Sequence, residues 1–264
     1  MKTCTSNQLM LLRFNTNYFK LIMRKIIFIA GLMILTVSVS LAQKLGNQRI
    51  PLIGTPAPSF KSQSTNGPVS FPIDFVKKWK ILFAHPRDFT PVCSSEILEL
   101  AYRQDEFIQL NTQIVIVSVD KLVSHQNWKA DLEQIDYKGH GKLKINFPLV
   151  VDSSFAICDS YGMLDTKSGR GKSVRGVFFI NPENEISAFY FYPIEVGRNT
   201  DEIIRTLKAL QTHYDSPGVV TPANWQPGDD VMIPFLTVED KEELKKADPK
   251  VHYINWYMIY KKSK

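Results

Sequence analysis

Residues 85–93 read HPRDFTPVC, and they bring a thiol, a hydroxyl, an imidazole, a guanidinium and two prolines together in one short stretch. Cys93 falls between an apolar run, ILFA (81–84), and a helical pattern, SSEILELAYRQDEFIQL (94–110). A thiol at the joint where a strand hands over to a helix lies near unpaired backbone N–H groups and the positive end of the helix dipole. That setting favours the thiolate, which is the nucleophilic form. Thr90 stands three residues before the cysteine, about one helical turn away, and can offer its hydroxyl both to the sulfur and to an incoming oxygen. Pro86 and Pro91 restrict the backbone on either side of that approach. A lone cysteine is otherwise a small buried apolar residue; here its neighbours point to nucleophilic chemistry. Other signals are weak. The histidines show no metal-ligand spacing and the chain has no CxxC, so neither a metal site nor a dithiol is expected. SGRGKSVRG (168–176) lacks the GxxxxGK[ST] pattern of a phosphate cradle, so it is read as a loop.

The elements that must hold these residues follow from periodicity. ILFA reads as a buried strand, and 92–110 as an amphipathic helix with Ile97, Leu98, Ala101, Phe107 and Ile108 along one face. IVIVSVD (114–120) is a second buried strand, followed by a helix over 124–136, a short strand FPLVVD (147–152) and a short helix SFAICDSYG (154–162). GVFFINPENEISAFYFY (176–192) predicts a hairpin turning at Asn181 to Asn184, and 200–213 a helix with Asp201 and Glu202 in its first turn. Strands alternating with helices argue for an α/β domain with a central mixed sheet flanked by helices on both faces. Near residue 215 the character changes: a Pro, Gly and Asp-rich stretch leads to the charged VEDKEELKKADPK and the aromatic HYINWYMIY. The reading is a main domain over 51–214 and a small C-terminal α+β appendage over 215–264, with HYINWYMIY a strand packing on a partner subunit. A linker over 43–50 precedes the main domain.

Residues 1–42 stand apart. MRKIIFIAGLMILTVSVSLA (23–42) has a short basic start, an apolar stretch and small residues Ser40 and Ala42 at a signal-peptidase spacing. It reads as a cleaved export signal beginning at a true start, Met23, with Gln43 the first mature residue. The alternative is an uncleaved membrane anchor, the apolar run being nearly long enough to span. Export to the periplasm or outside the cell, with no stable membrane insertion after cleavage, is the expectation. The whole chain carries 32 basic and 26 acidic side chains, a net of +6, but the five basic residues of 1–42 have no acidic counterpart. The mature chain is then nearly neutral and its charge is no argument for nucleic-acid binding. Removal of Cys4 leaves Cys93 and Cys158, too few for a disulfide framework in a chain this large.

HPRDFTPVC contains the PxxxTxxC motif of the peroxiredoxins, and with the following SSEI it is most similar to the 1-Cys group. The similarity continues through SVD (118–120), SHQNW (124–128), FPLVVD, YGML (161–164), VRGVFFI (174–180), YPIEVGRNTDEIIR (192–205) and TPANWQPGD (221–229), in order along the mature chain. The resemblance implies a thioredoxin-like fold in which Cys93 is the peroxidatic thiol, with Pro86 and Thr90 at the other fixed motif positions and Arg175 as the active-site arginine. It further implies supporting roles for His85 and Arg198; their plain alternatives are a satisfied histidine at a strand end and an ion pair opposite Asp201 or Glu202. The implied activity is a cofactor-free thiol peroxidase that reduces hydrogen peroxide and organic hydroperoxides through a Cys93 sulfenic acid. A homodimer or higher homo-oligomer follows from the same resemblance. No cysteine follows Cys158, which falls on the inward stripe of a short helix and reads as a packing residue, so an external thiol reductant is expected to complete the cycle. VKKWK (76–80) stands where some 1-Cys relatives carry a serine-containing lipase segment and has neither Ser nor Gly, so lipase activity is not expected. The alternatives from other classes are a thioredoxin-fold redox sensor or holdase-type binding protein, and more distantly a hydrolase.

Overall fold

The structure is a computed structural model that describes residues 20, 23–29, 50–165, 171–234 and 249–263. The chain divides into two compact units, residues 1–48 and residues 49–264. Of the first, residues 23–29 are helical; the rest of the expected signal lies outside the described residues, as does most of the charged stretch 238–250. Among the described residues no helix is long and apolar enough to cross a membrane.

The second unit is built on β3 (Trp79–Ala84), whose six residues are all buried. β3 pairs in parallel with β4 (Thr112–Ser118), and β4 in parallel with β5 (Leu149–Val151). On its other side β3 runs antiparallel to β6 (Arg175–Ile180), which turns back into β7 (Ile186–Tyr192). A hairpin of β1 (Phe60–Ser64) and β2 (Gly67–Phe71) extends the sheet beyond β5, for a strand order β2-β1-β5-β4-β3-β6-β7. Two-sided burial explains why the central strands read as unbroken apolar runs.

Alternation along each strand divides the core in two. Ile81, Phe83, Ile114, Ile116, Val177 and Phe179 point to one face, where α1 (Pro91–Gln109), α2 (Leu122–Leu132) and α4 (Thr200–Asp215) supply Cys93, Ile97, Leu100, Trp128, Leu132, Ile203 and Leu207. Leu82, Ala84, Val115, Val117, Phe178 and Ile180 point to the other, covered by α3 (Ala156–Ser160), Tyr161, Met163 and the first hairpin. The expected mixed sheet with helices on both faces is therefore present. Ile108, expected on the inward stripe of α1, is 62% exposed although it lies nearly in line with Ile97; it stands one residue before the helix end at Gln109. After Asp215 a separate three-stranded sheet forms, in the order β8 (Val231–Met232), β10 (Met258–Lys261), β9 (Val251–Asn255). HYINWYMIY is thus a hairpin rather than the single strand expected, because Trp256 and Tyr257 make its turn.

One polar residue is buried near the start of β3. Lys80 is wholly buried, and its Nζ donates to the Asn181 carbonyl (2.8 Å) and the Asn184 side chain (2.6 Å), tying β3 to the β6–β7 turn. Burial pushes its pKa down from 10.5 to about 8, against the opposing pull of Glu183. Between those values the folded chain binds fewer protons at this site than the unfolded chain, so the lysine's contribution to stability rises with pH over that window. A Lys80→Met protein should therefore keep the fold and lose this dependence. In urea titrations across pH 8 to 10.5 the wild type should gain stability relative to the variant as pH rises, and a constant difference would refute the assignment.

Candidate active site

The pairing of β3 with β6 decides where the chemistry can be. Because the two strands are antiparallel, with Phe83 opposite Val177, the last residues of β3 lie beside the first residues of β6. His85, Pro86 and the loop to Thr90 leave the end of β3, and Arg175 opens β6 at the same end of the sheet. The β6–β7 hairpin then returns the chain to that end, since Tyr192 pairs with Arg175, and delivers Arg198 just beyond.

Cys93 lies in the first turn of α1 and is fully buried, with Thr90 as the N-cap residue and Pro91 at the first helical position. Arg175 Nη1 reaches the Cys93 sulfur at 3.3 Å and also donates to Glu96 Oε2 at 2.8 Å. Its Nε and Nη2 are held by the Ile194 carbonyl, at 3.0 and 2.6 Å. Glu96 is the residue that sequence reasoning missed. It stands one turn after Cys93 on the inward stripe of α1, buried among Ile97, Leu100 and Ala101, and a carboxylate on an apolar stripe was the available signal. Its Oε1 accepts from the backbone N–H and Nε of Arg198, both at 2.8 Å, while Oε2 also accepts from Arg198 Nη2 at 2.7 Å.

Arg198 therefore does not pair with Asp201 or Glu202, which are taken by Arg103 and Arg205. It is buried over the Phe83 ring, 3.2 Å from the ring centre, and its Nη1 donates to the carbonyls of Ala84 and Gly176, both at 2.8 Å. The absence of a side chain at Gly176 is required here, since a Cβ would come within 2.5 Å of the Met163 sulfur.

The loop carries the remaining expected residues. Pro86 is buried beside His85. Thr90 differs from expectation: its hydroxyl proton goes to the Arg87 carbonyl at 2.9 Å rather than to the sulfur. The loop is tied down by Asp88. Its backbone N–H donates to Asp120 (2.9 Å), and its carboxylate meets His125 Nδ1 of α2 at 2.8 Å. From the same helix Trp128 Nε1 donates to Ser94 at 3.2 Å. His85 is fully buried with neither ring nitrogen hydrogen-bonded, so it is not the satisfied strand-end histidine of the plain reading. Burial, reinforced by His125 and the two guanidiniums, holds its imidazole well below the usual range, and the ring is neutral.

Cys158 belongs to the opposite face of the sheet from Cys93. Its backbone N–H donates to Asp152, and burial together with that carboxylate pushes its thiol well above the usual range. Both cysteines are free thiols.

Comparison with known proteins agrees with this layout. Residues 53–189 match the AhpC/TSA family, and residues 209–246 match the C-terminal domain of 1-Cys peroxiredoxin. A peroxiredoxin of Methanosarcina mazei is 42% identical over 216 residues, which is 81% of this chain and 98% of that protein. The chain belongs to the peroxiredoxin family. Among solved structures, a yeast mitochondrial 1-Cys peroxiredoxin, described as resolved through glutathione/thioredoxin systems, is 35% identical with a TM-score of 0.71 over 81% of this chain and all of that one. Peroxiredoxin 6 of Arenicola marina gives the same TM-score at 29% identity, over 81% of this chain and 98% of its own. The protein is a thiol peroxidase of the 1-Cys type with the thioredoxin-like fold.

In this peroxiredoxin, Glu96→Gln keeps the shape of the side chain and removes the charge that two buried arginines share. Breaking one side of a buried pair costs about 3–5 kcal/mol. Urea denaturation should show a loss of that order, and stopped-flow mixing with hydrogen peroxide should show a rate at least about tenfold slower as Arg175 loses its anchor. Wild-type values for both would mean that the carboxylate does not organise the site.

Proposed function

We propose that Cys93 is the peroxidatic thiol of this peroxidase. The observation that carries the reading is the contact of Arg175 with the sulfur inside a buried set of one carboxylate and two guanidiniums. That set bears one unbalanced positive charge, which a thiolate at Cys93 neutralises without a dedicated base. The dipole of α1 adds in the same direction.

The sulfur attacks the terminal oxygen of the hydroperoxide. The S–O bond forms as the O–O bond breaks, sulfur gives up two electrons, and the departing hydroxide or alkoxide takes up a proton to leave as water or alcohol. Arg175, a permanent cation beside the sulfur, stabilises the negative charge as it passes from sulfur to the leaving oxygen. Thr90, with its proton committed to Arg87, meets the peroxide as an acceptor for the O–H of the attacked oxygen. Pro86 fixes the course of the loop. His85 and Arg198 support the site, the latter by anchoring Glu96 and the ends of β3 and β6.

Hydrogen peroxide and small organic hydroperoxides are the substrates. Because the sheet separates Cys158 from Cys93, the sulfenic acid is reduced by an external thiol: one thiol condenses with loss of water to give a mixed disulfide, and a second releases Cys93. The working form is a homodimer or larger homo-oligomer, in which Ile254, Trp256 and Tyr257 on the exposed C-terminal hairpin face a second copy. Residues 23–42 direct export and are removed after Ala42.

Single-turnover mixing tests the assignment. Cys93→Ser should abolish the reaction with hydrogen peroxide and Cys158→Ser should preserve it. Mass spectrometry of the oxidised protein should find sulfenic acid or a mixed disulfide at Cys93, whereas a Cys93–Cys158 disulfide would overturn the single-thiol cycle.

A further inference from the structure

Beside the thiol centre lies a second buried cluster. His85 leaves the end of β3, Asp88 follows in the loop, and His125 comes from α2; all three are buried. Asp88 Oδ1 is 3.5 Å from His85 Nε2 and 3.1 Å from His125 Nδ1, and one ligand atom from each residue lies within 4.8 Å of the other two. Donors on a tetrahedral zinc, bound at about 2.0–2.1 Å, stand about 3.3 Å apart. Two of the three separations are close to that value, and the third is no more than 4.8 Å.

The hydrogen bond between Asp88 and His125 accounts for one ring nitrogen of the four. His85 Nδ1 and Nε2 and His125 Nε2 are buried without partners. Orphaned buried polar groups are rare and cost about 1–3 kcal/mol each; of the three, His85 Nε2 faces the Asp88 carboxylate and is the one that an ion here would engage, with His125 exchanging its hydrogen bond to Asp88 for a bond to the ion. We propose that His85, Asp88 and His125 form a binding site for a divalent transition-metal cation of the zinc type.

Two imidazoles and one carboxylate suit zinc, cobalt or ferrous iron far better than magnesium or calcium, which demand oxygen. The supports of a metal ligand set are in place. Asp120 holds the Asp88 backbone, and Ser118 in turn donates to the Asp120 carboxylate at 2.9 Å. The Trp128 ring packs on His85 with centres 5.0 Å apart. The ligands escape the usual sequence patterns because only the pair His85 and Asp88 is local, while the third arrives from α2. A bound ion would clamp the loop that carries Pro86 and Thr90 to α2, making the mobility of that loop depend on metal supply.

The test titrates chelator-treated, non-thiol-reduced protein with Zn2+ against a chromophoric competitor, and with Co2+ for its visible ligand-field bands. One ion per chain is expected. His125→Ala and Asp88→Asn should each weaken binding at least about tenfold, with His85→Gln reporting the same site should one of them fail to fold. The exposed His252, which pairs with Asp230, serves as the control, and His252→Ala should leave binding unchanged. Failure of the wild type to compete for zinc, or full affinity in the cluster variants, overturns the proposal whatever a Cys93→Ser protein does.

Discussion

A single carboxylate stands at the centre of this molecule's chemistry. Glu96 accepts four hydrogen bonds, from the Arg198 backbone, from two Arg198 nitrogens and from Arg175, which fills its acceptor capacity. Without it two buried guanidiniums would face each other uncompensated, and burying unpaired charge is among the most costly things a fold can do. With it, each arginine has donors left for other tasks. Arg175 can address the sulfur. Arg198 can bridge the backbones of β3 and β6 through the carbonyls of Ala84 and Gly176. The same ion pairs that hold the two strand ends together therefore set the charge of the reaction centre, and structural and chemical roles cannot be assigned separately here.

The order of strands and helices was readable because each buried element carried its own period. Continuous apolar runs marked β3, β4 and β6, and a 3.6-residue stripe marked α1. Cys93, Thr90 and Pro86 were legible because they are neighbours in the chain, and Arg175 because the family resemblance carried it. What was not legible shares one property: it depends on which residues meet across the sheet. Glu96 was a carboxylate on the apolar stripe of α1 with no partner in sight until β6 and the loop after β7 brought two arginines to it. Arg198 had plausible local partners in Asp201 and Glu202, but Arg103 and Arg205 claim those. The Thr90 hydroxyl turned to a carbonyl three residues away, a local choice that turn geometry decides and residue type does not. The two strands in HYINWYMIY merged into one because aromatic residues continue through the turn.

The central sheet also acts as a partition. Cys93 packs with the helices of one face and Cys158 with α3 and the first hairpin on the other, so two thiols of one chain occupy different compartments of the same core. A resolving reaction between them would require strands whose side chains are almost wholly excluded from solvent to move apart. The division of the oxidative cycle between this protein and an outside thiol thus follows from sheet topology as much as from cysteine count.

Full burial of the Cys93 sulfur places a demand on both halves of that cycle. A hydroperoxide and a reducing thiol alike need the Pro86 to Thr90 loop or its neighbours to give way before they can touch it. The packing of that loop, and not the reactivity of the thiol alone, therefore governs when the sulfur can be met from outside.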